Sequence, residues 1–354
     1  MRRVVALLHL TFALASCGAT DVIYPEVPSV RETAAVEAKG DAADDPAIWV
    51  APNPEDSLII ATAKHGGLYV FDLRGDIVQV IRSGRPNNVD LRPGFRWAEE
   101  STTIVGASDR SDNSITLWRL DDASGRLDEQ PAARIPSGLS EIYGFCLGRK
   151  GPDIIVVATD KNTGTVGVWR ILHSAADRLK AEQISSFSLG AITEGCVIDD
   201  ARGVFFLAEE MRGIWKISLD DANGSQRQLI DTVGGNGHLA ADVEGLSLWT
   251  GAGEGGYLVA SVQGESRFAV YDRDGTHTYR GSFRVGASAN DTADQVTGTD
   301  GIDVTSSNLG LDFPQGLLVV QDDDNTHPAT TKNFKLVSWQ TVVNALRLDD
   351  ANTN

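Results

Sequence analysis

Six short apolar stretches recur along the chain: SLIIATA, TTIVGAS, DIIVVATD, GVFFLAEE, GYLVASVQG and GLLVVQDDD. Each is followed by a polar turn and then by a second, alternating stretch that carries an aromatic residue. These are GLYVFDLRG (67–75), SITLWRLDDASG (114–125), VGVWRILHSAADR (166–178), GIWKISLDDANG (213–224), FAVYDRDG (268–275) and FKLVSWQ (334–340). Period-two alternation between turn signals marks strands. The aromatics are Phe71, Trp118, Trp169, Trp215, Tyr271 and Trp339, spaced 47, 51, 46, 56 and 68 residues apart, the last gap holding an acidic insertion. Several strands per unit, repeated about every 50 residues, predict an all-β, six-bladed β-propeller. A large sandwich or β-helix would not need so regular a spacing. Helical periodicity is weak, with 175–183 and 340–347 the modest candidates.

The N-terminal pattern differs. Arg2 and Arg3 precede an apolar run from Val4 to Leu14 and small residues up to Cys17. This predicts an export leader, too short to span a membrane comfortably. Leu14-Ala15-Ser16-Cys17 is similar to a lipoprotein box, which implies cleavage after residue 16 and a lipid on Cys17. Residues 17–39 read as a tether and leading segment, 40–348 as the propeller, and 349–354 as a tail. The expected location is the bacterial cell envelope, as a lipoprotein of the outer membrane or periplasm, or outside the cell.

Charge narrows the partners. With 31 basic and 49 acidic residues the net charge is −18, and losing the leader makes it 29 − 49 = −20. Such a surface repels nucleic acid and anionic lipid, and no basic cluster is present to reverse that. Membrane contact is therefore expected only through the Cys17 lipid, and a monomer is expected. Cys146 and Cys196 lie in the apolar contexts YGFCL and EGCVI and read as buried free thiols rather than a bridge.

The acids are not scattered. GDAADDPAIWV (40–50) sets Asp41, Asp44 and Asp45 directly before a strand bound for the core, which is costly unless the charge is neutralised. Charged residues also end the apolar strand of every unit: Lys64 and His65, Asp109 and Arg110, Asp160 and Lys161, Glu209 and Glu210, Gln263 and Glu265, then Asp322 to Asn325. Equivalent strand ends of a propeller gather at one mouth of its channel. Between the units lie acid-glycine segments, read as loops, carrying Glu194, Asp199 and Asp200, then Asp242 and Glu244, then Asp291, Asp294, Asp300 and Asp303. Oxygen-rich, cysteine-poor clusters favour calcium over zinc. Lys64, Arg110, Lys161 and Tyr143 at the same rim suit a ligand with several phosphates. No nucleophile elbow, P-loop or HExxH occurs, so an enzyme here would use metal-activated water.

Eight segments in order, DAADDPAIWV (41–50), GRPNNVDLR (84–92), EIYGF (141–145), TEG (193–195), AEE (208–210), DVEGL (242–246), GTDGIDV (298–304) and NFK (333–335), together resemble the β-propeller phytases. The resemblance implies a calcium-dependent phosphoric monoester hydrolase of the 3-phytase type, acting on myo-inositol hexakisphosphate by attack of a metal-bridged water. It places bridging-calcium carboxylates at Asp44, Glu194, Glu210, Asp242, Glu244, Asp294 and Asp300. It places phosphate-binding groups at Lys64, Arg110, Tyr143 and Lys161, and a tighter structural calcium at Asp45, Asp322 and Asn325. His65 stands where some members carry a second lysine. The alternatives are a calcium-stabilised propeller that binds a phosphorylated or acidic ligand without turnover, and a propeller lactonase or phosphotriesterase with one central calcium.

Overall fold

The computed structural model describes residues 23–36, 42–97, 100–174, 178–251, 253, 255–290, 292–326 and 331–348. The leader, Cys17, Asp41, Asp291 and the 349–354 tail lie outside the described residues. Two short strands come first, β1 (Glu26–Pro28) and β2 (Arg31–Glu32). Blade one follows with β3 (Ala43–Trp49), β4 (Leu58–Ala63), β5 (Gly67–Asp72) and β6 (Ile77–Ile81). Blade two has β7 (Pro86–Trp97), β8 (Glu100–Asp109), β9 (Ser114–Asp121), β10 (Arg126–Leu127) and β11 (Ala133–Pro136). Blade three has β12 (Ile142–Lys150), β13 (Asp153–Asp160), β14 (Thr165–Ser174) and β15 (Arg178–Ser188). Blade four has β16 (Thr193–Asp199), β17 (Val204–Glu209), β18 (Gly213–Ser218) and β19 (Gln228–Thr232). Blade five has β20 (Val243–Thr250), β21 (Gly256–Val262), β22 (Arg267–Asp272) and β23 (Tyr279–Gly286). Blade six has β24 (Ile302–Thr305), β25 (Leu317–Asp322) and β26 (Asn333–Ser338), followed by the helix α1 (Trp339–Leu346).

Each blade is an antiparallel meander, and the six sheets form a β-propeller. The ring is closed by the N-terminal segment. β2 pairs with β26 as the outer strand of blade six, and β1 adds in parallel to β23 of blade five. This gives blade six its fourth strand and leaves a two-residue outer strand in place of the longer β26 edge, and short edges are poor templates for pairing with another chain. Of the tether and leading segment expected over 17–39, the described part, residues 23–36, carries β1 and β2 and buries Val27 and Val36, so that part packs as propeller.

Packing explains the repeated aromatic. The core divides into wedges between neighbouring blades, and each of the six aromatics lies in a different wedge, towards the preceding blade. Trp118 fills the wedge against blade one beside Trp49, and Trp339 stacks on Trp249 with ring centroids 5.8 Å apart. Replacing one such ring by alanine costs about 3–5 kcal/mol. The helical candidate 340–347 is met by α1, which buries Trp339, Val342 and Val343. The candidate at 175–183 is not: its described part continues β15, whose pairing with β14 overrides a weak local period.

A second correction concerns the acid-glycine segments read as loops. The apolar stretches are the second strand of each blade. The innermost strands are β3, β7, β12, β16, β20 and β24. Three of them, β16, β20 and β24, include parts of those acid-glycine segments. An inner strand shows its polar residues to the channel, so it lacks the apolar signature by which strands are recognised.

Candidate functional site

Five inner strands are bulged near their first residues. The register shifts between Ala43 and Pro46, Pro86 and Val89, Ile142 and Phe145, Thr193 and Cys196, and Val243 and Leu246. A bulge re-aims a side chain without ending the strand. The residues held in these bulges are Asp44 and Asp45, Asn87 and Asn88, Tyr143, Glu194 and Glu244, each of the last three followed by glycine. The glycines are required by close approach. A Cβ at Gly144 would lie 2.0 Å from the Glu194 carbonyl oxygen, one at Gly195 would lie 1.8 Å from that of Glu244, and one at Gly245 would lie 2.8 Å from that of Asp300. So a residue-then-glycine step carries each site residue against the next blade around the mouth.

The ends of the second strands meet these bulges, because the two strands run antiparallel. Asp109 and Asp160 turn back to satisfy their own turns: Asp109 accepts from Arg85 N and Ser111, and Asp160 from Ser140, Asn162 and Thr163. Glu209 accepts from Trp215 Nε1 at 2.7 Å. The residue after each of these, Arg110, Lys161 and Glu210, joins the mouth.

Oxygens of Glu194, Glu210 and Glu244 all come within 4.8 Å of one another. Burial, and then mutual repulsion, pushes Glu210 up to about 7 and Glu244 well above the carboxylate range. Burial and the neighbouring Asp300 raise Glu194, while Lys64 pulls it back. Asp44, almost wholly buried, is raised by burial despite Lys64 Nζ 2.9 Å from its Oδ1. The same ammonium lies 3.3 Å from Asp300 Oδ2, and Gln263 Nε2 donates to Asp300 Oδ1 at 2.5 Å. Asp242 holds a left-handed backbone, φ +62°, immediately before β20. Apart from the Lys64 ion pair, neither oxygen of Asp44 has a hydrogen-bond donor, and Glu244 Oε2 has none. Buried anionic oxygens without donors are costly. Clustered in this way, they fit a hard cation, which prefers several carboxylate oxygens.

Beside them, reached through Tyr143, is a group of cations. Lys161 Nζ sits 4.3 Å from the centre of the Tyr143 ring and the Arg110 guanidinium 5.8 Å from it. Burial, reinforced by Glu194, drives the Tyr143 phenol far upward, so it is a neutral donor to Glu194. Arg110 is held by Asn87 Oδ1 at 3.2 Å and by Glu141, with which it forms a short ion pair.

The site grouping differs from the sequence expectation at two residues. Asp294 does not reach the Glu194 cluster. It pairs with the buried Lys335 at 2.9 Å and accepts from Thr326, beside Asp322 and Asn325. The turn between Asp294 and Asp300 is pinned by Val296 N to Val285 O and Thr297 N to Asp322 Oδ1, which carries Asp294 away from the mouth. Asp45 does not join Asp322 and Asn325. Its Oδ2 accepts from Val89 N at 2.9 Å, and it lines a cavity of about 550 Å³ in the central channel with Asp90, Arg92, Asp199, Arg273 and Asp303.

Sequence reasoning assigned no role to Asn87, Glu141 or Lys335. Asn87 Nδ2 donates to Glu194 Oε1 at 2.5 Å. Lys335 is fully buried among Glu32, Asp294 and Asp322. All three sit inside motifs quoted above, and that was the available signal. The free-thiol reading is also corrected: Cys146 and Cys196 form a disulfide, Cα–Cα 5.4 Å, because β12 and β16 are adjacent inner strands.

Fold and site together define a six-bladed β-propeller with a buried acidic mouth beside a group of lysine, arginine and tyrosine. The chain matches the phytase family over residues 3–353. It is 37% identical over 330 residues to a 3-phytase of Bacillus subtilis (strain 168), covering 91% of this chain and 85% of that protein. The chain belongs to the phytase family. Among solved structures it is similar in fold to an alpha-L-arabinanase of Penicillium chrysogenum, complexed with arabinobiose. The TM-score is 0.57 at 11% identity, over 90% of this chain and 99% of that one.

Proposed function

We propose that the chain is a calcium-dependent phytase that releases phosphate from myo-inositol hexakisphosphate, with calcium held at the mouth by Asp44, Glu194, Glu210, Asp242, Glu244 and Asp300. The observation that carries this reading is the buried Glu194–Glu210–Glu244 cluster, in which Glu244 Oε2 has no donor, beside Arg110, Lys161 and Tyr143. Bound there, calcium would offset the carboxylates and the substrate's charge and lower the pKa of a nucleophilic water. The chain's own groups do the rest. Arg110 offers a planar fork to phosphate oxygens, and Lys64 and Lys161 offer point charges. The Tyr143 hydroxyl, neutral at working pH, donates a hydrogen bond and orients Glu194. Charge of this kind, fixed before the substrate arrives, favours a transferring phosphoryl group.

Asp294, Asp322 and Asn325 are a second proposed calcium position, of structural type, with Lys335 already among them. We further place the chain outside the cytoplasm, which the leader pattern supports and which suits a disulfide. A lipid on Cys17 would be its one membrane attachment.

The test is release of inorganic phosphate from phytate by the purified chain. Arg110→Ala should raise KM about 10- to 100-fold, the worth of a charge-assisted phosphate contact. Binding of phytate without phosphate release would mark a ligand-binding propeller instead.

A further inference from the structure

The inner strands around the mouth are tied to one another by different means. Between blades five and six the tie is Gly245 N to Asp300 O at 3.1 Å, and between blades six and one it is Gly301 N to Asp44 O at 3.0 Å. Both ties hold the backbone of a mouth carboxylate. Between blades three and four the corresponding strands, β12 and β16, are joined covalently by Cys146 and Cys196. The bond lies between two close approaches of the same strands. At Gly144 an added Cβ would meet the Glu194 carbonyl oxygen at 2.0 Å, and at Gly148 it would meet Ile198 Cγ2 at 2.4 Å. Thr159 Oγ1, on the neighbouring β13, donates to Thr193 O at 2.5 Å. Tyr143 and Glu194, which share a hydrogen bond, lie three and two residues before the two cysteines.

We propose that the Cys146–Cys196 disulfide is a positioning element of the mouth: it holds β12 against β16 and so sets the Glu194 carboxylate between Tyr143 and the other calcium-facing acids. A strand shift of a few tenths of an ångström is forbidden on one side by the glycine contacts. The disulfide forbids it on the other, where a pair of unlinked thiols would allow separation. The sulfurs touch no substrate, and their part is to fix Glu194. This rests on the calcium reading given above.

The experiment uses the full chain carrying both Cys146→Ala and Cys196→Ala, with Ile217→Val as a control in the same apolar wedge. Calcium binding is measured by calorimetry without substrate, well below the melting temperature, and kcat and KM for phytate are measured in saturating calcium. A positioning role predicts calcium half-saturation shifted upward about fivefold or more in the double variant and unchanged in the control. A lowered melting temperature with half-saturation within about twofold of the wild type would overturn the proposal and leave a purely structural staple. Should the double variant not fold, the wild type is titrated after reduction by a water-soluble phosphine, which is oxidised to its oxide as the bond becomes two thiols. The same two outcomes then decide. Wild-type protein that binds calcium but releases no phosphate would count against the phytase reading alone.

Discussion

Glu194→Gln should do opposite things to the calcium-free and calcium-loaded protein. The substitution keeps the shape and leaves Oε1 to accept from Asn87, whose Nδ2 donates at 2.5 Å. It removes one charge from a group whose oxygens lie within 4.8 Å of those of Glu210 and Glu244. At an effective dielectric of about 20, each ionised pair at that separation costs about 3 kcal/mol. The protein relieves most of this by retaining protons: burial, and then repulsion, pushes Glu210 up to about 7 and Glu244 well above the carboxylate range. Lys64 opposes the change, since it attracts Glu194. A net gain of about 1–2 kcal/mol at pH 8 remains for the calcium-free variant, or roughly 2–4 °C for a domain of this size. With calcium the sign reverses, because the variant offers one anionic ligand fewer. The assay is thermal unfolding at pH 8 in chelator and in saturating calcium. The expected result is a higher Tm than wild type in chelator and a lower one in calcium. A variant less stable than wild type in chelator would refute the reasoning, by showing that Glu194 is held by attraction rather than tolerated against repulsion.

The pH dependence of the calcium-free protein should also be inverted. The mouth carboxylates, Glu210 at about 7 among them, hold protons that the unfolded chain releases near 4.3, so their contribution to stability falls as pH rises through the folded value. Between pH 6.5 and 8, above the range of His277, which burial holds low, Tm in chelator should drop; calcium should abolish or reverse the drop. A flat Tm in chelator over that window would contradict it. Lys335→Met leaves Glu32, Asp294 and Asp322 without their buried cation and should cost about 3–5 kcal/mol in urea denaturation, part of it restored by calcium; a loss below about 1 kcal/mol would show the cluster to be indifferent to its cation.

The propeller was legible because its second strands are apolar runs, its third strands alternate and its aromatics repeat. Phe71, Trp118, Trp169, Trp215, Tyr271 and Trp339 each fill one wedge, and a packing need repeated six times leaves a period in the sequence. The inner strands were not legible as strands. Thr193-Glu194-Gly195 and Val243-Glu244-Gly245 pair glycine with acid for the sake of a bulge and a close approach, and those residue types signal a loop. Asp44, Lys64, Glu194, Glu210, Glu244 and Asp300 could be gathered from the motifs, since equivalent strand ends share a mouth. Asp45 and Asp294 could not be placed, because adjacency in sequence says nothing of the face a bulge selects. Asp44 and Asp45 part there, one to the mouth and one to the channel. The disulfide was missed for a related reason: two cysteines 50 residues apart become neighbours only when successive inner strands are set side by side.

The central claim is that calcium at the mouth turns this propeller into a phytate hydrolase. The most direct measurement is phosphate release from phytate by the purified chain, first with calcium, then after complete removal by chelation, then after calcium is returned in excess of the chelator. Release that stops on removal and resumes on return is the predicted result. Release that continues undiminished without calcium would contradict the account, whatever the acids of the mouth then do.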